Sequence, residues 1–141
     1  MPSQLETARW TVRNLPPPDH CVRRVLVVDD YGPGAEAVSA SLTEAGYEVR
    51  FVLDGLAALE TVRSWIPQIA LLDINMPEMD GYAVARRLRA EDLTRQTIIV
   101  AFTALDEPTT RRSGVGAGFD AYCQKGAAPG PLLRLLETLA H

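Results

Sequence analysis

The chain has 141 residues, 47% of them hydrophobic and 23% charged, with a net charge of −4. That length fits one domain with a core that needs no disulfide or metal staple. The acidic balance argues against a nucleic-acid surface, which wants clustered Lys and Arg, and no apolar run approaches the ~20 residues that cross a membrane.

The N-terminus lacks an apolar leader, so a cytoplasmic location is the expectation. Cys21 and Cys123 have no metal-ligand spacing; Cys123, inside an apolar segment, reads as a small buried hydrophobe. Residues 1–21 stand apart as a tail and Pro-rich linker, with residues 22–141 as the domain proper. Pro16-Pro17-Pro18 is a stiff polyproline-type spacer. Ahead of it the pattern is ambiguous: Trp10 and Val12 alternate as in a strand, whereas Leu5, Ala8 and Val12 follow a helical face.

From Arg24 the pattern becomes regular. Arg24-Val25-Leu26-Val27-Val28-Asp29-Asp30 is a continuous apolar run ending in two acids, the signature of a parallel strand buried on both faces. Tyr31-Gly32-Pro33-Gly34 forms a turn with a proline suited to a first helical position. Val38, Leu42 and Ala45 recur at helical spacing until Gly46. Tyr47 to Val52 alternates like an edge strand. A helix from about Gly55 to Trp65 ends before Pro67. Ile69 to Asp73 is a buried strand, and Tyr82 to Arg89 a helix with Val84 and Leu88 inward and Arg86, Arg87 and Arg89 on a solvated face. Thr97 to Phe102 is a strand ending in Thr103. Residues 106–117 form a helix weakened by Gly114 and Gly116, at about 1 kcal/mol each relative to alanine. Ala121-Tyr122-Cys123 is a short strand leading to Lys125, and Leu132, Leu135, Leu136 and Leu139 mark the last amphipathic helix.

This is βα repeated five times, which predicts an α/β fold, a doubly wound five-stranded parallel sheet with right-handed crossovers. The polar residues at the carboxyl ends of its strands fall on one edge: Asp29 and Asp30, Asp73, Thr103, and Lys125. Open α/β sheets bind ligands there. Three crowded carboxylates repel one another and raise their pKa values. A divalent cation and a lysine relieve that repulsion, and hard oxygen ligands beside an open position suit Mg²⁺ with a phosphate. The pattern therefore points to phosphoryl chemistry with Asp73 as nucleophile.

Val27-Val28-Asp29-Asp30, Asp73-Ile74-Asn75-Met76-Pro77-Glu78-Met79-Asp80-Gly81, Phe102-Thr103-Ala104 and residues 117–125 together resemble a response-regulator receiver domain of two-component signalling. The resemblance covers about residues 23–140. It implies the flavodoxin-like strand order 2-1-3-4-5, counted from the Arg24 run. It also implies that Asp73 accepts a phosphoryl group from a sensor histidine kinase or a histidine phosphotransfer protein. Mg²⁺ would be held by Asp30 directly, by Asp29 mostly through water, by Asp73, and by the backbone carbonyl of Asn75. Thr103 and Lys125 would bind phosphoryl oxygens, and Tyr122 would be an aromatic switch that moves inward with Thr103. Output would run through contacts with a downstream protein target, with a homodimer possible, and no DNA-binding domain or membrane segment is expected in this chain. A receiver of this kind catalyses its own phosphorylation and dephosphorylation without being a turnover enzyme, and stands alone or serves a hybrid kinase.

Besides the unusually rigid, glycine-rich Tyr31-Gly32-Pro33-Gly34 turn, two positions depart from the family pattern. Gly126 follows Lys125 where the family has proline, often with a cis bond. A cis bond before a non-proline residue costs about 2.5–4 kcal/mol, so a trans Lys125–Gly126 bond and a rearranged loop through Pro131 are expected. Leu105, two residues past Thr103, is expected to hinder water and slow hydrolysis of the acyl phosphate. Two other functions compete. A receiver-like interaction module that is never phosphorylated is favoured only by Gly126. An aspartate-nucleophile phosphatase needs a second carboxylate as general acid where this chain has Asn75.

Overall fold

A computed structural model describes residues 6–15, 22–126 and 128–139. The proline triplet and Cys21 lie outside the described residues. Strands β1 (Thr7–Arg9), β2 (Arg24–Val28), β3 (Glu48–Val52), β4 (Ile69–Leu72), β5 (Ile98–Thr103) and β6 (Ala121–Gln124) alternate with helices α1 (Gly32–Glu44), α2 (Gly55–Thr61), α3 (Gly81–Ala90), α4 (Glu107–Ala117) and α5 (Gly130–Leu139). The sheet order is β1-β6-β5-β4-β2-β3. The five strands from β2 to β6 are parallel and follow the expected 2-1-3-4-5 order.

The strand count is the correction. The sheet has six strands, because Thr7–Arg9 adds an antiparallel strand along β6, with Thr7 opposite Cys123 and Arg9 opposite Ala121. The N-terminal segment does form a strand, but over Thr7–Arg9, ahead of the Trp10 and Val12 alternation that suggested one, and Val12, which both readings counted among the apolar positions, is exposed. Thr7-Ala8-Arg9 is too short a run to carry a strand signal of its own. The open N–H and C=O groups of β6 impose the pairing.

The core has two layers because successive strand residues face opposite ways. Val25, Val27, Ile69, Leu71, Ile98 and Val100 face α1 and α5, with Leu15 and the leucines of α5. Leu26, Val28, Ala70, Leu72, Ile99 and Ala101 face α2, α3 and α4. Residues buried on both faces explain why β2, β4 and β5 read as unbroken apolar runs. Aspartates start three helices: Asp54, Asp80 and Asp106 accept the N–H of Ala57, Ala83 and Thr109 at 2.7, 2.9 and 3.0 Å, satisfying donors that a helix N-terminus leaves unpaired. Helix α2 ends at Thr61, short of the expected Trp65. Trp65 is instead buried, with the guanidinium carbons of Arg24 and Arg50 at 5.2 and 5.0 Å from its ring centre. Cys123 is buried, as expected, and burial pushes its thiol up to about 12.

Arg89 also departs from expectation. Arg86 and Arg87 are exposed, but Arg89 turns inward. Its guanidinium donates to Asp120 Oδ2 (2.6 Å) and to the carbonyls of Gly118 (3.1 Å) and Thr97 (2.6 Å). Burial lowers its pKa and the Asp120 carboxylate opposes that shift. Asp120 is itself buried and fully used: Oδ1 accepts from Thr11 and Arg13, and Oδ2 from Arg89 and the Ile99 N–H. A buried carboxylate needs that many partners.

Candidate phosphoryl-transfer site

The register of the sheet assembles the site. Val28 pairs with Leu72, so the next residues, Asp29 and Asp73, leave the sheet side by side, and the Asp73 N–H donates to the Val28 carbonyl at 2.9 Å. Thr103 pairs with Gln124, and the following N–H, of Lys125, donates to the Thr103 carbonyl at 2.8 Å. Four strand ends thus deliver their polar residues to one edge.

Asp29, Asp30 and Asp73 place carboxylate oxygens within 4.8 Å of one another. Asp29 and Asp73 are buried, whereas Asp30 is exposed. The ammonium of Lys125 bridges the two buried acids, 2.6 Å from Asp29 Oδ2 and 3.1 Å from Asp73 Oδ2. Asp29 also accepts the Tyr31 N–H at 3.0 Å. Burial raises the Asp73 pKa and Lys125 opposes it, while Asp29 adds to the rise. For Lys125 the largest single influence is burial, which lowers its pKa; its contacts with Asp29 and Asp73 together outweigh that, and the net shift is upward.

The loop beneath Asp73 is packed against it. The Gly81 N–H donates to the Ile74 carbonyl at 2.9 Å, and Glu78 takes a positive φ of 67° in the turn after Pro77. Asn75 is exposed, two residues beyond Asp73. The Lys125–Gly126 bond is trans, as expected, and the missing proline does not keep Lys125 from the acids. Beside Asp29 and Lys125 opens a cavity of about 640 Å³, walled in part by Tyr31, Phe102 and Leu132.

Thr103 is buried, and its Oγ1 accepts the Leu105 N–H at 3.3 Å. Tyr122 is fully buried, with its hydroxyl donating to the Leu105 carbonyl at 2.6 Å. Burial pushes its phenol up to about 12. Leu105 is half-buried against the α2, α3 and α4 layer and touches the site residues through its main chain. Sequence reasoning missed Trp10, whose ring lies 5.7 Å from that of Tyr122 at 27°, and Glu107, whose carboxylate accepts the indole N–H at 2.8 Å. The alternation of Trp10 with Val12 was the only signal pointing there.

A donor set made wholly of oxygens, on three crowded carboxylates, fits a hard divalent cation such as Mg²⁺ better than a softer metal. The described residues include no helix long and apolar enough to cross a membrane.

Known proteins share the sequence pattern and the fold. A family model described as "Response regulator receiver domain" matches residues 25–137. The chain is 39% identical over 118 residues to Response regulator MprA of Mycobacterium ulcerans, covering 82% of this chain and 49% of that protein. It is 39% identical over 102 residues to Response regulator PleD of Caulobacter vibrioides, covering 72% of this chain and 22% of that one. The chain therefore spans half or less of the length of these relatives. Among solved structures, chemotaxis protein CheY4 of Vibrio cholerae superposes with a TM-score of 0.81 at 29% identity, covering 84% of this chain and 99% of that one.

Proposed function

Since the chain belongs to the response-regulator receiver family, we propose that it is a phosphoacceptor whose reactive group is Asp73. The observation that carries this reading is the Lys125 ammonium held between the carboxylates of Asp29 and Asp73. A cation there neutralises charge that otherwise opposes the approach of a phosphoryl group.

In the proposed step a carboxylate oxygen of Asp73 attacks the phosphorus of a phosphohistidine on a kinase or phosphotransfer protein. The O–P bond forms as the N–P bond breaks, and the imidazole leaves with the electron pair and takes up a proton. Lys125 then exchanges its contact with Asp73 for one with a phosphoryl oxygen, and the Thr103 hydroxyl donates to another. Asp29, Asp30, Asp73 and the backbone carbonyl of Asn75 would hold Mg²⁺, which when bound neutralises charge on the transferred group. Tyr122 is the proposed switch, coupled to Thr103 through the main chain of Leu105. Leu105 itself is proposed to slow hydrolysis of the acyl phosphate; a polar replacement that left the lifetime of the label unchanged would remove that role. The product signals through protein contacts, in the cytoplasm, as a charge-driven shift between two conformations.

The test is to mix the protein with acetyl phosphate and Mg²⁺ and look by mass spectrometry for one added phosphate on Asp73. No adduct under conditions that label a control receiver would favour the module that is never phosphorylated. That alternative rests on Gly126, and the Lys125 contact with Asp73 speaks for the phosphoacceptor instead.

A further inference from the structure

Residues 6–15 sit on the far edge of the sheet as a bound segment. Beyond the three paired residues of β1, the N–H groups of Trp10 and Thr11 both donate to the Asp120 carbonyl, at 2.7 and 3.1 Å. The Gln124 N–H donates to the Glu6 carbonyl at 2.7 Å and the Leu15 N–H to the Leu139 carbonyl at 2.8 Å. Thr11 and Arg13 reach the buried Asp120 carboxylate at 2.7 and 3.0 Å.

Trp10 is the anchor, and its seat is shaped for it. The indole stacks on Tyr122 and donates to Glu107 Oε2, an oxygen that Arg111 also holds at 2.7 Å. Its six-membered ring rests on Gly114, where a β-carbon would stand 2.5 Å from Cζ3. A glycine inside a helix costs about 1 kcal/mol relative to alanine. Here it opens the floor of an aromatic pocket, with Tyr122 as wall and Glu107 as hydrogen-bond acceptor. The ingredients are those of strand addition: main-chain bonds supply the hold and a side-chain pocket the selectivity.

We infer that the β6 edge and the facing side of α4 form a strand-addition site for an extended segment carrying an aromatic residue, that residues 6–15 are its resident occupant, and that Trp10 is thereby a positioning residue for Tyr122. Its consequence at Asp73 rests on the switch role proposed for Tyr122. The link is short: Trp10 covers the Tyr122 ring, the Tyr122 hydroxyl holds the Leu105 carbonyl, and the Leu105 N–H holds Thr103 Oγ1. An occupied site keeps Tyr122 inward. A phosphoryl group that also favours inward Tyr122 and the bound segment then strengthen one another by the same factor, because coupling between two sites is reciprocal.

The experiment uses the full chain with Trp10→Ala and, as the conservative variant, Trp10→Phe. The first readout is amide hydrogen exchange. Exchange in residues 121–124 is expected to quicken tenfold or more in Trp10→Ala and to return most of the way in Trp10→Phe, with residues 69–72 as protected as in the unmodified chain. Unchanged exchange at 121–124 overturns the strand-addition site, and a loss that spreads to 69–72 overturns the segment as a separable occupant. The second readout is the concentration of beryllofluoride, with Mg²⁺, that half-saturates the chain by ¹⁹F NMR. A rise of fivefold or more in Trp10→Ala, recovered in Trp10→Phe, supports the positioning role, and equal half-saturation with the segment released overturns it. A parent chain that takes up no beryllofluoride overturns the phosphoacceptor reading and the positioning role with it, while hydrogen exchange still decides the strand-addition site.

Discussion

Gly81 lies so close to the main chain of Asp73 that a β-carbon built on it would strike the Asp73 carbonyl oxygen and stand 3.0 Å from the carbonyl carbon. The obstacle is backbone, which cannot swing aside as a flexible side chain can. Gly81→Ala is therefore expected to push the Asp73 strand end out of register with Asp29, at about 1–3 kcal/mol for the overpacking. Labelling by acetyl phosphate should fall by an order of magnitude or more. Urea unfolding and the labelling rate check the two effects separately, and an alanine variant of full rate and stability would contradict the contact.

Lys125→Met removes the cation between two buried carboxylates. Burial already raises the Asp73 pKa and Lys125 holds it back, so the variant's Asp73 is expected to titrate higher still, read from its carboxyl ¹³C shift. The sign for Lys125 runs the other way. Its folded pKa is raised, so its stabilisation is complete below the unfolded value of about 10.4 and lost as pH climbs through the folded one. The parent chain should lose stability in that alkaline window by a step that Lys125→Met lacks.

Asp120→Ala strands a buried guanidinium. Arg89 has a side chain 16% exposed and would keep its charge without its carboxylate, while the Ile99 N–H and the Thr11 hydroxyl lose an acceptor. Breaking a buried pair from one side costs about 3–5 kcal/mol. Urea denaturation should show a loss of that size, and a loss under about 1 kcal/mol, the range of exposed pairs, would mean the network is not what holds the segment.

Tyr122→Phe leaves the half-buried Leu105 carbonyl without its donor, at about 1 kcal/mol. In the parent chain burial pushes the phenol up to about 12. A raised acid pKa means the folded state resists ionisation, so stability falls as pH rises from about 10. Ultraviolet titration of the parent should show a tyrosinate step near 12 that is missing in the variant.

How much of the fold and site is legible in the sequence depends on how far each residue's partner lies along the chain. Apolar runs closed by an acid located β2 and β4, because a strand buried on both faces leaves its whole length in the sequence, and the site followed from asking which residues end those runs. Arg89 reads as solvent-facing beside Arg86 and Arg87, since nothing in a run of arginines reveals that one of them meets Asp120, 31 residues on. Gly114 reads as a weakness in α4 because its reason, the indole of Trp10, sits in a segment whose own pattern is ambiguous. Thr7–Arg9 has no strand signal strong enough to stand alone; the partner strand supplies it, and tertiary context of that kind overrides local preference.

Thr11 and Asp120 are joined across 109 residues, so the clasp between the N-terminal segment and β6 is also a statement about time. The segment is synthesised ahead of β6 and must wait for the intervening elements before its partner exists. Contacts this distant in sequence form slowly, because the intervening chain has to be ordered before they reward it. The chain's two tryptophans then keep different clocks: Trp65, set between Arg24 and Arg50, reports the assembly of the sheet, and Trp10 reports its closing. A refolding record is expected to show the Trp65 signal settle before that of Trp10, with β1 placed after the strands that follow it in sequence.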